Sequence, residues 1–337
     1  MFSFSEKSDV SSVNDVASFV SEGTAVLLTG AAARIPQQAA LLEELYNRGN
    51  LKDVVFISGV SAGALNAVML NAILTGRLTW QEYRDILFSI KNNDIFLSPE
   101  NKKLPVNTQS LRNLLKSIVE DKLGYHQIGD LPIMTEISFT SRKMIVYRMC
   151  SRKINSETDT TLSLVDIMMA SSAIPIAFPP VKIENAATLP KVEFIDGGVG
   201  SDYIPFRALL DYQKHRGSNV ARVYIVGRKM GNFSEIDEEL KLLGIDNKRS
   251  FDNLGPAVDN FLRKHLINRL EAYAKEAPDM IYKSYVWIPD FEQDFLMFNF
   301  GGMEEQYAIT KSWAQVNDPV PLGDFLLYNK LKKKRKE

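Results

Sequence analysis

Gly59, Ser61 and Gly63 stand in "FISGVSAGALNAVML", from Phe56 to Leu70, with the spacing G-x-S-x-G. A β-branched and aromatic run ends at a glycine, one serine follows between small residues, and a helix-forming run begins. That is the pattern of a nucleophile elbow. The turn is so tight that a Cβ two residues before or after the serine would collide with the neighbouring strand and helix. Ser61 is thereby held at a helix N-terminus, where free N–H groups and the helix dipole favour negative charge. An acyl-transfer oxyanion needs that environment. At a glycine usage of ~7% and a similar serine usage, roughly 0.1 chance matches are expected in such a chain. The pattern therefore needs a base beside it.

The chain has three histidines, His126, His215 and His265. His265 lies four residues after Phe261 on an apolar stripe and reads as a packed helix residue. His215, in "YQKHRG", stands at a helix end, where a charged or capping role is the default. His126, in "LGYHQIG", follows a helix and precedes any plausible triad acid. Asp196, in "FIDGG", is the better candidate. A carboxylate at the end of a strand, followed by two glycines, falls at the sheet edge where α/β sites form. A free Asp has a pKa of ~3.9 and is a weak base at neutral pH. To serve, it has to approach the serine in a partly desolvated site.

The elements that would position these residues alternate. "TAVLLTG" reads as a buried first strand, and Pro36 opens a helix that Gly49 stops. "KDVVFISG" is a second strand leading into the helix from Ala62. Strand–helix–strand–helix at this spacing predicts a parallel sheet with right-handed crossovers. Helices are expected over "TWQEYRDILFSI" and "TQSLRNLLKSIVEDKLG". A hairpin, "IMTEISFT" to "KMIVYRMC", turns at Ser141 and Arg142. Then come a helix "SLVDIMMA", the proline-rich loop "AIPIAFPPV", the strand "KVEFID", the helix "FRALLDYQKHRG" and the strand "ARVYIVG". From Leu254 to Tyr273, Leu254, Val258, Phe261, Leu262, Leu266, Leu270 and Tyr273 form a helical stripe. The strand "MIYKSYVWI" and a helix after Gly301-Gly302 finish the pattern.

With 337 residues, 45% hydrophobic and 24% charged, the chain reads as a soluble globular protein. Forty Lys and Arg against 41 Asp and Glu leave a formal charge of −1, so nucleic acid is disfavoured as a partner. The single Cys150 excludes an internal disulfide and fits a reducing compartment. The N-terminal "MFSFSEKSDVSSVND" lacks the basic and apolar regions of a signal peptide, and no apolar run of about 18 residues exists. The expected location is cytoplasmic. No His/Cys cluster has metal-ligand spacing, and no glycine loop has the lysine and spacing of a phosphate loop, so no metal or cofactor is expected.

Three segments carry a resemblance. G-x-S-x-G at Gly59 to Gly63, "ASSAIPIAFPPV" from Ala170 to Val181, and "FIDGGV" from Phe194 to Val199 together resemble the patatin-like phospholipases, in that family's order and roughly at its spacing. The middle segment is the most telling. The resemblance implies a three-layer α/β/α sandwich with a mainly parallel sheet, and a Ser–Asp dyad of Ser61 as nucleophile and Asp196 as base. It also implies hydrolysis of lipid acyl esters, with no metal or cofactor. It covers residues 22–230, the expected acyl-hydrolase core. Residues 231–329 are read as an α/β extension packed on the same unit, and 330–337 as a basic tail. In one stretch the chain departs from the family, whose glycine-rich loop supplies oxyanion-hole N–H groups. Here "GAAARIPQQAALL" keeps Gly30 and Arg34 while Ala31, Ala32 and Ile35 replace glycines. Alanine at φ > 0 costs of order 1 kcal/mol.

Two readings of different classes follow. The leading one is a lipid acyl hydrolase, phospholipase A or lysophospholipase-like, with the backbone of Gly30, Ala31 and Ala32 and nearby Arg34 at the oxyanion. The alternative is a degenerate patatin-like protein that binds lipid or a partner with little or no turnover. A Ser–Asp–His esterase would require His215 or His265 near Ser61, and a malonyl-transferase-like enzyme would carry histidine where this chain has Val60. A lipid substrate implies a docking face for peripheral membrane contact. Arg263, Lys264 and Arg269 beside the stripe are candidates for it, although a helix covering the core explains the stripe more simply. The tail, with six basic residues between Lys330 and Lys336, reads first as solvated and frayed and second as a lipid-headgroup attractor. Oligomeric state leaves no mark in the sequence.

Overall fold

The computed structural model describes residues 22–98, 100, 103–156, 158–184, 186, 188–230, 238, 241–244 and 254–334, with backbone alone at 254–262 and 332–334. The N-terminal stretch read for a signal peptide, the side chains of Leu254, Val258, Phe261 and Leu262, and tail residues 335–337 lie outside the described residues.

The strands are β1 (Thr24–Leu28), β2 (Val54–Val60), β3 (Met134–Ser141), β4 (Val146–Cys150), β5 (Phe194–Asp196), β6 (Arg222–Val226), β7 (Ser284–Trp287) and β8 (Val320–Pro321). They form one mixed sheet in the order β4-β3-β2-β1-β6-β7-β8, with β5 also pairing β3. The pairs β1–β2, β1–β6, β2–β3 and β6–β7 are parallel; β4, β5 and β8 run antiparallel to their neighbours. This is the expected α/β architecture with a mainly parallel centre.

The helices are α1 (Ile35–Asn47), α2 (Ala62–Leu74), α3 (Trp80–Ser89), α4 (Asn92–Ile95), α5 (Gln109–Leu115), α6 (Leu164–Ser171), α7 (Phe206–Arg216), α8 (Leu254–Glu276), α9 (Met303–Val316) and α10 (Leu322–Lys334). Strand period 2 sorts β1 between the two faces of the sheet. Val26 and Leu28 pack with Leu41, Leu42 and Leu45 of α1 and with Ala67 and Leu70 of α2. Ala25 and Leu27 face Phe206 and Leu209 of α7 and Leu266, Leu270 and Tyr273 of α8. The sheet is thus a middle layer between helices. The described part of the α8 stripe covers the core.

Local readings change, and the helix after Gly301-Gly302 does not finish the pattern, since β8 and α10 follow it. The hairpin turns over 142–145 rather than at two residues, with Met144 at φ +64°. The helix from Gln109 widens into a π-helical stretch over Lys116–Lys122. Only Ser284–Trp287 of "MIYKSYVWI" is strand, since Pro278–Lys283 forms a 3-10 helix. The tail does not fray where its lysines begin, because α10 carries the backbone through Lys334. Leu322 and Leu326 of α10 are buried with the α8 face, and that packing outweighs lysine repulsion.

Candidate active site

Ser61 and Asp196 are far apart in sequence and meet because β3 changes partners. β2 pairs with β3 as far as Val60 opposite Ser138, and β5 takes over on the next residue, Asp196 opposite Phe139. β4 occupies the other edge of β3 over the same residues, so β5 continues the row that β2 leaves. The residue after Val60 and the last residue of β5 therefore share one place at the sheet edge.

The elbow has the geometry its glycines imply. Ser61 sits at φ +57°, ψ −132°, buried, as the N-cap of α2. A Cβ on Gly59 would lie 2.3 Å from the Gly63 carbonyl oxygen, and one on Gly63 2.5 Å from that of Thr29. The Ser61 N–H donates to Ser171 Oγ at 2.9 Å, and Ser171 Oγ donates to the Ser138 carbonyl at 2.7 Å. Ser171, the first serine of "SSA" in α6, thus ties the strained turn to β3.

Asp196 is buried, and its N–H donates to the Ala173 carbonyl at 2.9 Å. Its Oδ1 accepts the Gly198 N–H at 2.7 Å. Burial raises its pKa to about 6, against the opposing pull of the neighbouring Ser61 side chain and of the Gly198 N–H. The environment makes this carboxyl a far better base near neutrality than a solvated Asp.

The loop after β1 keeps a left-handed position despite its alanines, with Ala32 at φ +48° and Ala31 at φ −136°. The N–H groups of Gly30, Ala31 and Ala32 find no acceptor among the described residues. The loop is pinned around them: Ala33 N–H to the Met297 carbonyl at 2.9 Å, and Gln306 Nε2 to the Ala33 carbonyl at 3.0 Å. Gln38 Nε2 donates to the Thr29 carbonyl at 2.7 Å. Arg34 is turned away, with Nε and Nη2 donating to the Phe295 carbonyl at 3.0 and 2.9 Å. It holds the loop against the chain before α9.

Two cavities meet at Ser61. One, of about 170 Å³, is lined by Gly30 to Ala32, Asp196, Tyr203 and Arg228, with Met297 and Val199 at its walls. The other, of about 50 Å³, is an apolar slot between Leu65, Ile90, Leu111, Phe178, Phe300 and Met303. Ile174 lines both, and two residues on Ile176 stands 80% exposed at φ +72°. Arg228, Tyr203, Met297 and Ser171 are the site residues that motif reading missed; only Ser171 lay inside a quoted motif.

Of the histidines, His126 and His215 are exposed, and His126 belongs to a turn in which its N–H meets Asp130. His265 comes closer than its stripe position suggests. Its ring centroid is 5.6 Å from that of Tyr203, and it lies against the backbone of Gly198 and Gly200 behind the Asp196 loop. Burial and the nearby Arg269 cation lower its pKa. Among the described residues no cluster of His, Cys, Asp and Glu could hold a metal, and no helix is long and apolar enough to cross a membrane.

The sequence model of the patatin-like phospholipase family matches residues 26–210, more than half of the chain and both halves of this serine–aspartate pair. The chain belongs to the patatin-like phospholipase family. No curated protein matches it in sequence. Solved structures similar to this patatin-like chain are distant. VipD from Legionella pneumophila is 14% identical, with 88% of this chain and 68% of that chain covered and a TM-score of 0.41. The type III effector protein ExoU is 10% identical, with 87% and 52% covered and a TM-score of 0.38. ExoU from Pseudomonas aeruginosa in complex with SpcU is 14% identical, with 77% and 59% covered and a TM-score of 0.30. The patatin-like chain thus spans between half and about two thirds of its neighbours' length.

Proposed function

We propose that the protein is a serine acyl-ester hydrolase of lipids, phospholipase A or lysophospholipase-like, working through a Ser61–Asp196 dyad and an acyl-enzyme. The observation that carries the reading is the buried Asp196 carboxyl, raised to about 6 and sharing with Ser61 a cavity lined also by Gly30, Ala31 and Ala32, whose N–H groups find no acceptor among the described residues. Ser61 Oγ attacks the ester carbonyl carbon while its proton passes to Asp196. The oxyanion is met by N–H groups of the Gly30–Ala32 loop and of Ala62, the residue after the nucleophile. The carbon–oxygen bond to the alcohol breaks, and Asp196 returns the proton to the departing oxygen. Water then attacks the acyl-enzyme with Asp196 as base, and the fatty acid leaves. The acyl chain lies in the apolar slot. In this reading residues 22–230 are the hydrolase core, and 231–329 an extension that supplies Met297, Phe300 and Met303 to the walls. Its lipid substrate brings the protein into peripheral contact with a membrane from the cytoplasm.

The second reading, a patatin-like lipid or partner binder with little turnover, is favoured by one observation. Arg34 is spent on the Phe295 carbonyl and does not line the reaction cavity. Intact-mass spectrometry after incubation with a fluorophosphonate separates the two. A single adduct is expected on the wild type and none on Ser61→Ala. Asp196→Asn is expected to slow labelling by about 10³-fold, the middle of the range for losing a general base. A folded wild type that takes no adduct would put the binding reading first.

A further inference from the structure

α10 carries its charge at one end. Its one acid, Asp324, stands in the first turn, whereas Lys330, Lys332, Lys333 and Lys334 crowd the last. A helix C-terminus welcomes a cation, but like charges four residues apart, as at Lys330 and Lys334, weaken a helix. Leu331, set among these lysines, is exposed. Packing within the molecule accounts for Leu322 and Leu326 of this helix and not for its basic end.

The fold brings that end to the edge of the sheet where Ser61 lies. α10 starts at the opposite edge, with Gly323 beside Ile281, which stands just before β7; a Cβ there would lie 3.6 Å from the Ile281 side chain. Farther along, Arg263 Nη2 of α8 donates to Asn329 Oδ1 at 3.3 Å, and His265, two residues on, lies against Gly198 and Gly200. α10 therefore climbs α8 in the antiparallel sense and reaches the level of the Asp196 loop at Asn329. At 1.5 Å per residue, Lys330–Lys334 carry its axis about 7 Å farther. Arg263 and Lys264 stand exposed beside it. Neither they nor Lys330 enters an ion pair among the described residues.

Exposed apolar side chains share that edge. Val199 lines the Ser61 cavity and is exposed at its rim. A Cβ on the next residue, Gly200, would lie 3.0 Å from Val146 Cγ2, at the foot of the hairpin tip that exposes Lys143, Met144 and Ile145. Ile176 projects from the loop after α6 in a left-handed conformation that a β-branched residue rarely keeps. On the α9 side of the edge the sign reverses, with Asp290, Glu292 and Asp294 in the loop after β7; Asp290 accepts from Trp313 Nε1 of α9 at 3.0 Å. We propose that this edge docks on a bilayer rich in anionic headgroups. The α8–α10 corner meets the charge, Ile176 and the hairpin tip enter the interface, and the Ser61 cavity opens toward the membrane. Lysines near an anionic surface and apolar side chains within it add their attractions. The docking rests on the lipid-hydrolase reading for its purpose, while binding itself needs no turnover.

The test is sedimentation of the Ser61→Ala protein with vesicles of non-hydrolysable diether phosphatidylcholine, alone or mixed with diether phosphatidylserine. Affinity is expected to be about tenfold higher on the anionic vesicles and to lose about that factor when Lys264→Glu and Lys330→Glu are combined. Ile176→Asn, which suits the left-handed backbone, is expected to cost about threefold. Equal binding to both vesicles, or binding indifferent to the charge reversals, would overturn the proposal. Orientation is read with an environment-sensitive dye on Ile176→Cys or on Tyr282→Cys, which is exposed at the opposite edge; Cys150 is buried and escapes the label. A blue shift is expected at 176 alone, and a shift at 282 alone would overturn the proposal. So would a dimer in the absence of vesicles that Ile176→Asn dissolves, since it would assign the face to a second copy. If a fluorophosphonate fails to label wild-type Ser61 while binding follows the charge, the hydrolase reading fails and the docking surface stands. Labelled Ser61 with charge-blind binding overturns the docking alone.

Discussion

Ser61 holds a φ of +57° that an L-residue leaves if it can, at a cost of order 1–3 kcal/mol, and its neighbours are what prevent it. Ser171 takes its N–H, α2 begins on its carbonyl, and Gly59 and Gly63 leave no room for another path. The partner residue is tuned by burial rather than by charge. Because the Asp196 pKa is about 6 in the folded protein, the ionised base is lost below that value. The expected kcat/KM on a soluble ester rises with pH, is half-maximal near pH 6 and is level above it; a profile flat from pH 5 to 8 would argue against Asp196 as base. Much at this scale was legible in the sequence. The elbow glycines and Asp196 announce themselves because steric necessity fixes residue type at fixed spacing. Arg228 and Tyr203 do not, since they reach the site from loop ends whose spacing obeys no rule. His265 shows the same limit: helical periodicity placed it on the stripe, but nothing local says that the stripe abuts Gly198.

Among elements, the handover on β3 from β2 to β5 is the device that makes the pair. The long periodic elements could be read from apolar period and caps, such as the capping box of Thr79 and Glu82 at the start of α3. The direction of β5 could not, because three residues carry no period and its pairing is set by tertiary contact. Nor could the bond between α1 and α9, which is polar and buried. Glu43 of α1 accepts from Tyr307 and Lys311 of α9 and from Arg84 of α3, while Gln37 and Gln306 join across the same seam at 3.0 Å. Removing the charge of Glu43 leaves Arg84 without an anion and Lys311 with Glu44 alone, at 3.9 Å. Glu43→Gln is expected to lower stability by about 3 kcal/mol, read as a shift of the urea midpoint at unchanged slope. A loss under 0.5 kcal/mol would make the seam an ornament of the packing.

For the molecule as a whole, buried acids set how stability varies with pH. Glu136 of β3 is fully buried, neither carboxyl oxygen has a hydrogen-bond partner among the described residues, and nearby Arg148 spends its fork on Asp202 at 2.6 and 2.7 Å. Burial and the Asp202 charge push the Glu136 pKa well up, against the pull of Arg148. Folded pKa values above the unfolded ~4 mean that folding takes up protons, so this contribution is complete below about pH 4 and is lost as pH rises through the folded values. Asp196 loses its share near pH 6, and Glu136 as pH rises through its own raised value. Glu136→Gln is expected to flatten the fall and to gain about 1–3 kcal/mol on the wild type by pH 9, measured as urea midpoints at pH 5, 7 and 9. Parallel curves would mean that Glu136 is already ionised at pH 5. The cavity walls carry a last consequence, one of timing. Ser61, Asp196 and Arg228 have all left the ribosome once 230 residues are free of it, yet the carbonyl that clamps Arg34 belongs to Phe295, and Phe300 and Met303 close the apolar slot. During synthesis Ser61 and Asp196 are therefore made before the residues that wall them in, and the two cavities take their final form only after residues 295–303 have joined the fold.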